Sequence, residues 1–120
     1  MSIIDGREWP AGQAVETDIC IVGAGAAGIT LATELGRTGR DVVLLESGGL
    51  SLDALTQSLY DLESTGYAQR AGYMSRVRYF GGSCNLWAGR SMTLDPSDFE
   101  PRSWVPHSGW PLRYDDVARH

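Results

Sequence analysis

Three glycines in the spacing G-x-G-x-x-G, Gly23-Ala24-Gly25-Ala26-Ala27-Gly28, stand directly between a short apolar run and a helical pattern. The run Thr17-Asp18-Ile19-Cys20-Ile21-Val22 has the length and β-branched content of a buried strand. Residues 26–38 follow, with Ile29, Leu31, Ala32 and Leu35 as an apolar helical face and with Gly36 and Gly39 near its stop. Val42-Val43-Leu44-Leu45 is a second strand, continuous in apolar character as parallel strands are. Strand, helix and strand make one βαβ unit, whose crossover is expected to be right-handed.

Each glycine has a task in that setting. Gly23 permits the tight turn, Gly25 lets the backbone approach a pyrophosphate, and Gly28 allows close helix–strand packing. The helix start offers unpaired N–H groups and a partial positive charge to phosphates, so Ala24, Ala26 and Ala27 belong to the same expected cradle. Glu46 ends the second strand, 18 residues after Gly28, where a carboxylate can accept ribose hydroxyls, with Ser47 beside it. The same carboxylate would repel a 2′-phosphate, which disfavours NADP.

A second glycine turn lies downstream, in Arg78-Tyr79-Phe80-Gly81-Gly82-Ser83-Cys84-Asn85-Leu86-Trp87-Ala88-Gly89-Arg90. Gly81, Gly82 and Ser83 ahead of a short helix form another nest of N–H donors, reaching to Cys84 and Asn85. Arg78 and Arg90 flank it and can either offset pyrophosphate charge or pair on the surface. Cys20 is expected to be a small core hydrophobe, and Cys84 to sit beside the ligand. The leucines 52, 55, 59 and 62 predict an amphipathic helix over 51–63, capped by Ser51. Residues 64–80 read as an extended loop associated with the ligand, and Asp115-Asp116 as first-turn acids of a helix starting near Tyr114.

Composition narrows the function. All ten basic residues are arginine, and fifteen acids bring the net charge to −5 and the pI to about 4.8. A broad basic surface for nucleic acid or anionic membrane is excluded. No apolar run is long enough to span a bilayer and no secretory leader is evident, so a cytoplasmic protein is expected. Two cysteines without ligand spacing exclude a disulfide scaffold and argue against a metal site. His107 reads as a solvated loop histidine, and Trp104 and Trp110 as anchors of irregular segments.

With these residues in view, the chain resembles the glucose–methanol–choline (GMC) oxidoreductases. Ala32 and Gly39 continue the small-residue series after Gly28 seen in FAD-binding members of the flavoproteins with two dinucleotide-binding domains. The Gly-Gly-Ser motif with its arginine is similar to the family motif that lines the flavin. The tail, Asp98-Phe99-Glu100, Trp104, Ser108-Gly109-Trp110-Pro111 and Tyr114-Asp115-Asp116, is most similar to the branch containing pyranose oxidase and related sugar and glycoside oxidoreductases. There the motif carries a flavin-linked histidine. The matching position here is Leu86, so the resemblance implies non-covalent FAD.

The expected fold is therefore α/β: a Rossmann-like FAD/NAD(P)-binding domain, incomplete, with residues 1–16 as a leader and 17–120 as the N-terminal part of the FAD domain. Two strands do not complete a doubly wound sheet, so the chain reads as the opening of a larger protein. The resemblance implies hydride transfer from a CH–OH group of an alcohol, sugar or glycoside to flavin N5. The electrons would pass on to oxygen, a quinone or a cytochrome. No residue here matches the family's catalytic histidine. The alternatives are an NAD-linked Rossmann dehydrogenase and a non-catalytic nucleotide-binding chain.

Overall fold

The computed structural model describes residues 2–67 and 75–120, so seven residues of the expected loop, 68–74, lie outside the described residues. The chain divides into two compact units, Met1–Ala88 and Gly89–His120.

In the first unit, strand β1 (Ile19–Val22) pairs parallel with β2 (Val42–Leu45), Ile19 opposite Val42 and Val22 opposite Leu45. Helix α1 (Ala26–Gly36) crosses between them and packs on both. The first strand begins two residues later than the apolar run predicts. Thr17 donates its hydroxyl to the Asp41 carbonyl at 2.8 Å, and Asp18 accepts the Asp41 N–H at 3.0 Å. Side chains thus take the place of the ladder bonds that would lengthen the pair.

Among the described residues, β1 is covered on its α1 face. Ile19 and Ile21 are half-buried on the α1 side, whereas Val22 is 83% exposed and Cys20 is exposed on the opposite face. The expectation of Cys20 as a core residue is therefore corrected: strand alternation places it on the face that α1 does not reach. Leu31 is corrected likewise. It sits two positions from Ile29, about 200° around the helix, and is 52% exposed, while Ile29, Ala32 and Leu35 are half-buried.

The helix expected over 51–63 is shorter. Helix α2 (Ala54–Gln57) runs into a 3₁₀ turn, Ser58–Tyr60, and Asp53 rather than Ser51 caps it, accepting the Thr56 N–H at 2.7 Å. The helix begins at Ala54, so Asp53 holds the N-cap position and Ser51 lies two residues before it. Leu52, Leu55, Leu59 and Leu62 are all exposed, so their spacing does not mark a buried face. The segment is held instead through Gln57 and Tyr60, described below.

In the second unit, Phe99 is buried and packs on Trp110 and Tyr114, each with ring centroids 5.8 Å away, the latter edge-on. Ser108 bridges the Arg102 backbone, accepting its N–H at 2.7 Å and donating to its carbonyl at 3.0 Å. Trp110 thus anchors this loop as expected, whereas Trp104 is 78% exposed and does not. Helix α3 (Tyr114–Val117) starts where the acids predict, and Asp116 reaches back to accept the Arg113 N–H at 3.0 Å.

Candidate functional site: a groove between two glycine turns

The first glycine turn leaves β1 through Gly23, whose φ of +99° is open to glycine and strained for other residues. Its N–H donates to the Leu45 carbonyl at 2.7 Å, continuing the sheet by one rung and fixing the turn over β2. Gly25 is the extended N-cap of α1, with no capping side chain. Helical bonding begins with Ile29 N–H to the Gly25 carbonyl at 3.0 Å. The N–H groups of Ala26, Ala27 and Gly28 are the unpaired first-turn donors, and all three residues line an open groove of about 770 Å³.

Glycine does different work at each position. A Cβ on Gly28 would stand 1.9 Å from the Gly23 carbonyl oxygen, so helix and turn touch only because that atom is absent. A Cβ on Gly25 would meet nothing within 4 Å, and its backbone is not in the left-handed region. The chain itself does not require glycine at 25. The space it leaves belongs to the groove.

The second glycine turn forms the facing wall. Gly81 has φ +92° and Gly82 φ +55°, and the 3₁₀ helix Gly82–Asn85 follows. Gly81 donates its N–H to the Ala24 carbonyl at 2.8 Å, and a Cβ on Gly82 would come within 3.2 Å of Gly25 Cα. The two motifs, 53 residues apart from Gly28 to Gly81, are in direct backbone contact. Ser83, Cys84, Leu86 and Trp87 line the groove opposite the first turn, together with Val22 and Ser75. Leu86 is the position at which the resemblance places a flavin-linked histidine, and Trp87 follows it in the same motif.

Asn85 acts one step back from the groove. It donates to the carbonyls of Phe80 and Gly82, both at 3.0 Å, and so holds the second turn closed. The Arg78 guanidinium lies 4.8 Å from the Tyr60 ring centroid and does not line the groove. Arg90 falls in the second unit.

Glu46 is the most heavily bonded of the set. Oε2 accepts the Ala24 N–H at 2.7 Å, while Oε1 accepts the Gly48 N–H at 2.9 Å and the Ser47 hydroxyl at 3.2 Å. The fully buried Ala24 is thus gripped twice, through its N–H by Glu46 and through its carbonyl by Gly81. Of the roughly four acceptor positions of a carboxylate, three are used, leaving about one for a ligand hydroxyl. Burial works against ionisation of Glu46, but the Gly48 and Ala24 N–H groups outweigh it and hold the carboxyl below the usual glutamate range.

The sign of that shift fixes a pH dependence. A depressed folded-state pKa stabilises the fold fully above the value of an unfolded glutamate, and the contribution is lost as pH falls through the folded value. Acidification is expected to move the Ala24 and Gly48 amide resonances together, with a common midpoint below the ordinary glutamate range, in a pH series of ¹⁵N–¹H correlation spectra. Separate midpoints, or a midpoint at the ordinary value, would contradict the clamp.

Comparison with known proteins agrees with this layout. The family model described as an NAD(P)-binding Rossmann-like domain matches residues 21–79. The chain is 29% identical over 113 residues to the 6'''-hydroxyparomomycin C oxidase of Streptomyces lividus, covering 84% of this chain and 21% of that protein. It is 30% identical over 118 residues to the paromamine 6'-oxidase of Streptomyces fradiae, covering 92% of this chain and 20% of the relative. The chain therefore spans about a fifth of the length of these curated relatives. No solved structure matches it. Among the described residues no helix is long and apolar enough to cross a membrane. The parallel pair, the glycine turn at the helix start and the family match together make this a Rossmann-like α/β fold.

Proposed function

We propose that the groove binds the dinucleotide FAD non-covalently, and that the protein is a flavin-dependent oxidoreductase of the GMC type acting on a CH–OH group of a sugar or amino-sugar glycoside. The observation that carries this is Gly25. It lines the groove beside three unpaired N–H groups, and neither its φ nor any neighbour within the chain requires glycine there. A backbone kept bare at a helix N-terminus is what close approach of a pyrophosphate needs. The substrate class comes from two relatives that are oxidases named for paromamine and hydroxyparomomycin.

In this reading Gly23, Gly25, Ala26, Ala27 and Gly28 form the pyrophosphate cradle, and the buried Ala24 is held behind it by Glu46 and Gly81. Glu46, with Ser47 against it, offers its remaining acceptor position to the ribose. Gly81, Gly82, Ser83 and Cys84 approach the flavin side, where Trp87 and Leu86 supply an apolar wall, and Leu86 offers no nucleophile for a covalent link. Asn85 supports that wall from behind. FAD, when bound, supplies a two-electron acceptor for the substrate hydride.

The test is Gly25→Ala in the full-length protein. Ala is a poorer N-cap than Gly, so stability should fall by no more than about 1 kcal/mol. FAD affinity, followed by flavin fluorescence, should fall tenfold or more because the new methyl occupies ligand space. Equal FAD affinity in the two proteins would remove the cradle from this groove.

The match to an NAD(P)-binding family favours a second reading, an NAD-linked dehydrogenase. The purified protein separates the two: a yellow chromophore with flavin bands supports the first. A colourless protein that binds NAD in the same groove supports the second.

A further inference from the structure

We propose that Arg76 and Arg78, presented around Tyr60, form a receptor for a phosphate group separate from the groove between the glycine turns. The charge centre of Arg76 lies 5.1 Å from the Tyr60 ring centroid and that of Arg78 4.8 Å, so one ring gathers both cations. Cation–π attraction accounts for their seat but does not neutralise them.

No carboxylate does so either. The ion pairs among the described residues use Arg7, Arg37, Arg113 and Arg119, each with an acid two or three residues away in sequence. Neither Arg76 nor Arg78 has one, and the sequence from 68 to 74 contains no Asp or Glu. Arg40, Arg90 and Arg102 also have none among the described residues, and what sets Arg76 and Arg78 apart is that the two share one aromatic ring. Both Nε atoms are also shielded from solvent without an acceptor. Partly buried positive charge of this kind is unfavourable until an anion reaches it.

The backbone beneath the pair is fixed. Gln57 donates from Nε2 to the Arg76 carbonyl at 3.1 Å and accepts the Arg78 N–H on Oε1 at 2.9 Å, the pairing a neighbouring strand would make. Residues 76 and 78 of an extended stretch share one side, and the intervening Val77 is buried on the other. Arg76 also donates to the Tyr60 carbonyl at 3.2 Å. Two guanidinium forks gathered at one ring suit the several oxygens of a phosphate better than a single carboxylate. Neither side chain lines the groove. The site does not depend on the flavin reading.

Titration of the full-length protein with inorganic phosphate at constant ionic strength, followed by calorimetry, tests it. Saturable one-to-one binding is expected, weakened about tenfold in Arg78→Gln and less in Arg78→Lys, which keeps the charge but loses the fork. Dinucleotide affinity in Arg78→Gln should stay within about twofold of the parent, and phosphate should still bind with the dinucleotide present. The wild-type titration needs no variant to fold, and absence of saturable binding there overturns the proposal. Competition between phosphate and the dinucleotide, or a matching tenfold loss of dinucleotide affinity in Arg78→Gln, overturns it too, because the arginines would then serve the cofactor's own phosphates.

Discussion

Gly28→Ala should destabilise the fold by about 3 kcal/mol or more, at the upper end of overpacking penalties. The new Cβ would stand 1.9 Å from the Gly23 carbonyl oxygen, 3.1 Å from its carbon and 3.5 Å from Ile21 Cγ2. The first contact cannot be relieved locally. Gly23 is held by its own N–H on the Leu45 carbonyl at 2.7 Å, and Gly28 is inside the first turn of α1. The helix would have to lift from the sheet by about an ångström, loosening Ile21, Ile29 and Ala32 together. Gly36→Ala on the same helix is the control: nothing lies within 4 Å of its Cβ, and helix propensity should raise stability by up to about 1 kcal/mol. Urea unfolding followed by circular dichroism should separate the two variants in opposite directions. If Gly28→Ala unfolds no more easily than Gly36→Ala, the helix does not rest on the turn as described.

What the sequence reveals and what it hides divide along contact distance. The βαβ unit is legible because its signals are local: β2 occupies the four apolar residues 42–45, and α1 starts directly after Gly25. The roles of Gly23 and Gly28 follow from the same spacing, and the φ of one and the crowding of the other agree with them. Partners far along the chain are not legible. Glu46 is a ligand acceptor by spacing, yet most of its capacity is spent on Ala24, 22 residues away, and on its own neighbours. Leucine spacing predicts a long amphipathic helix at 51–63, but the energetic link there is polar, from Gln57 to residues 76 and 78. A period-based reading cannot see an amide standing in for a strand. The second glycine turn is recognisable as a nest of donors, but not that it leans directly on the first.

That contact between the turns carries the other large effect, Gly48→Ala. A Cβ at 48 would fall 2.1 Å from the Arg78 carbonyl oxygen and 2.6 Å from both the Arg78 carbon and Tyr79 Cα. All three are backbone atoms, and the stretch they belong to is tied on both sides. Arg78 N–H is held by Gln57, Phe80 N–H by the Gly49 carbonyl at 2.9 Å, and Gly81 N–H by the Ala24 carbonyl at 2.8 Å. Gly48 is itself tied to Glu46. One strand of backbone must give way, and the bonds at Gly49 and Ala24 are the ones that set the second turn against the first. A cost of about 3 kcal/mol is expected, again at the upper end for overpacking. It should fall on residues 78–85 and leave β1, α1 and β2 in place, unlike Gly28→Ala. Hydrogen exchange makes the distinction: the Phe80 and Gly81 amides should lose protection while those of β1 and β2 keep theirs. Gly49→Ala, whose nearest neighbour would be Ser51 O at 3.9 Å, should change neither. Dinucleotide affinity should fall at least tenfold in Gly48→Ala, because one wall of the groove is displaced although every groove-lining side chain is still present. If affinity holds while Phe80 and Gly81 exchange freely, the ligand is bound by the first turn alone, and the second is scaffolding.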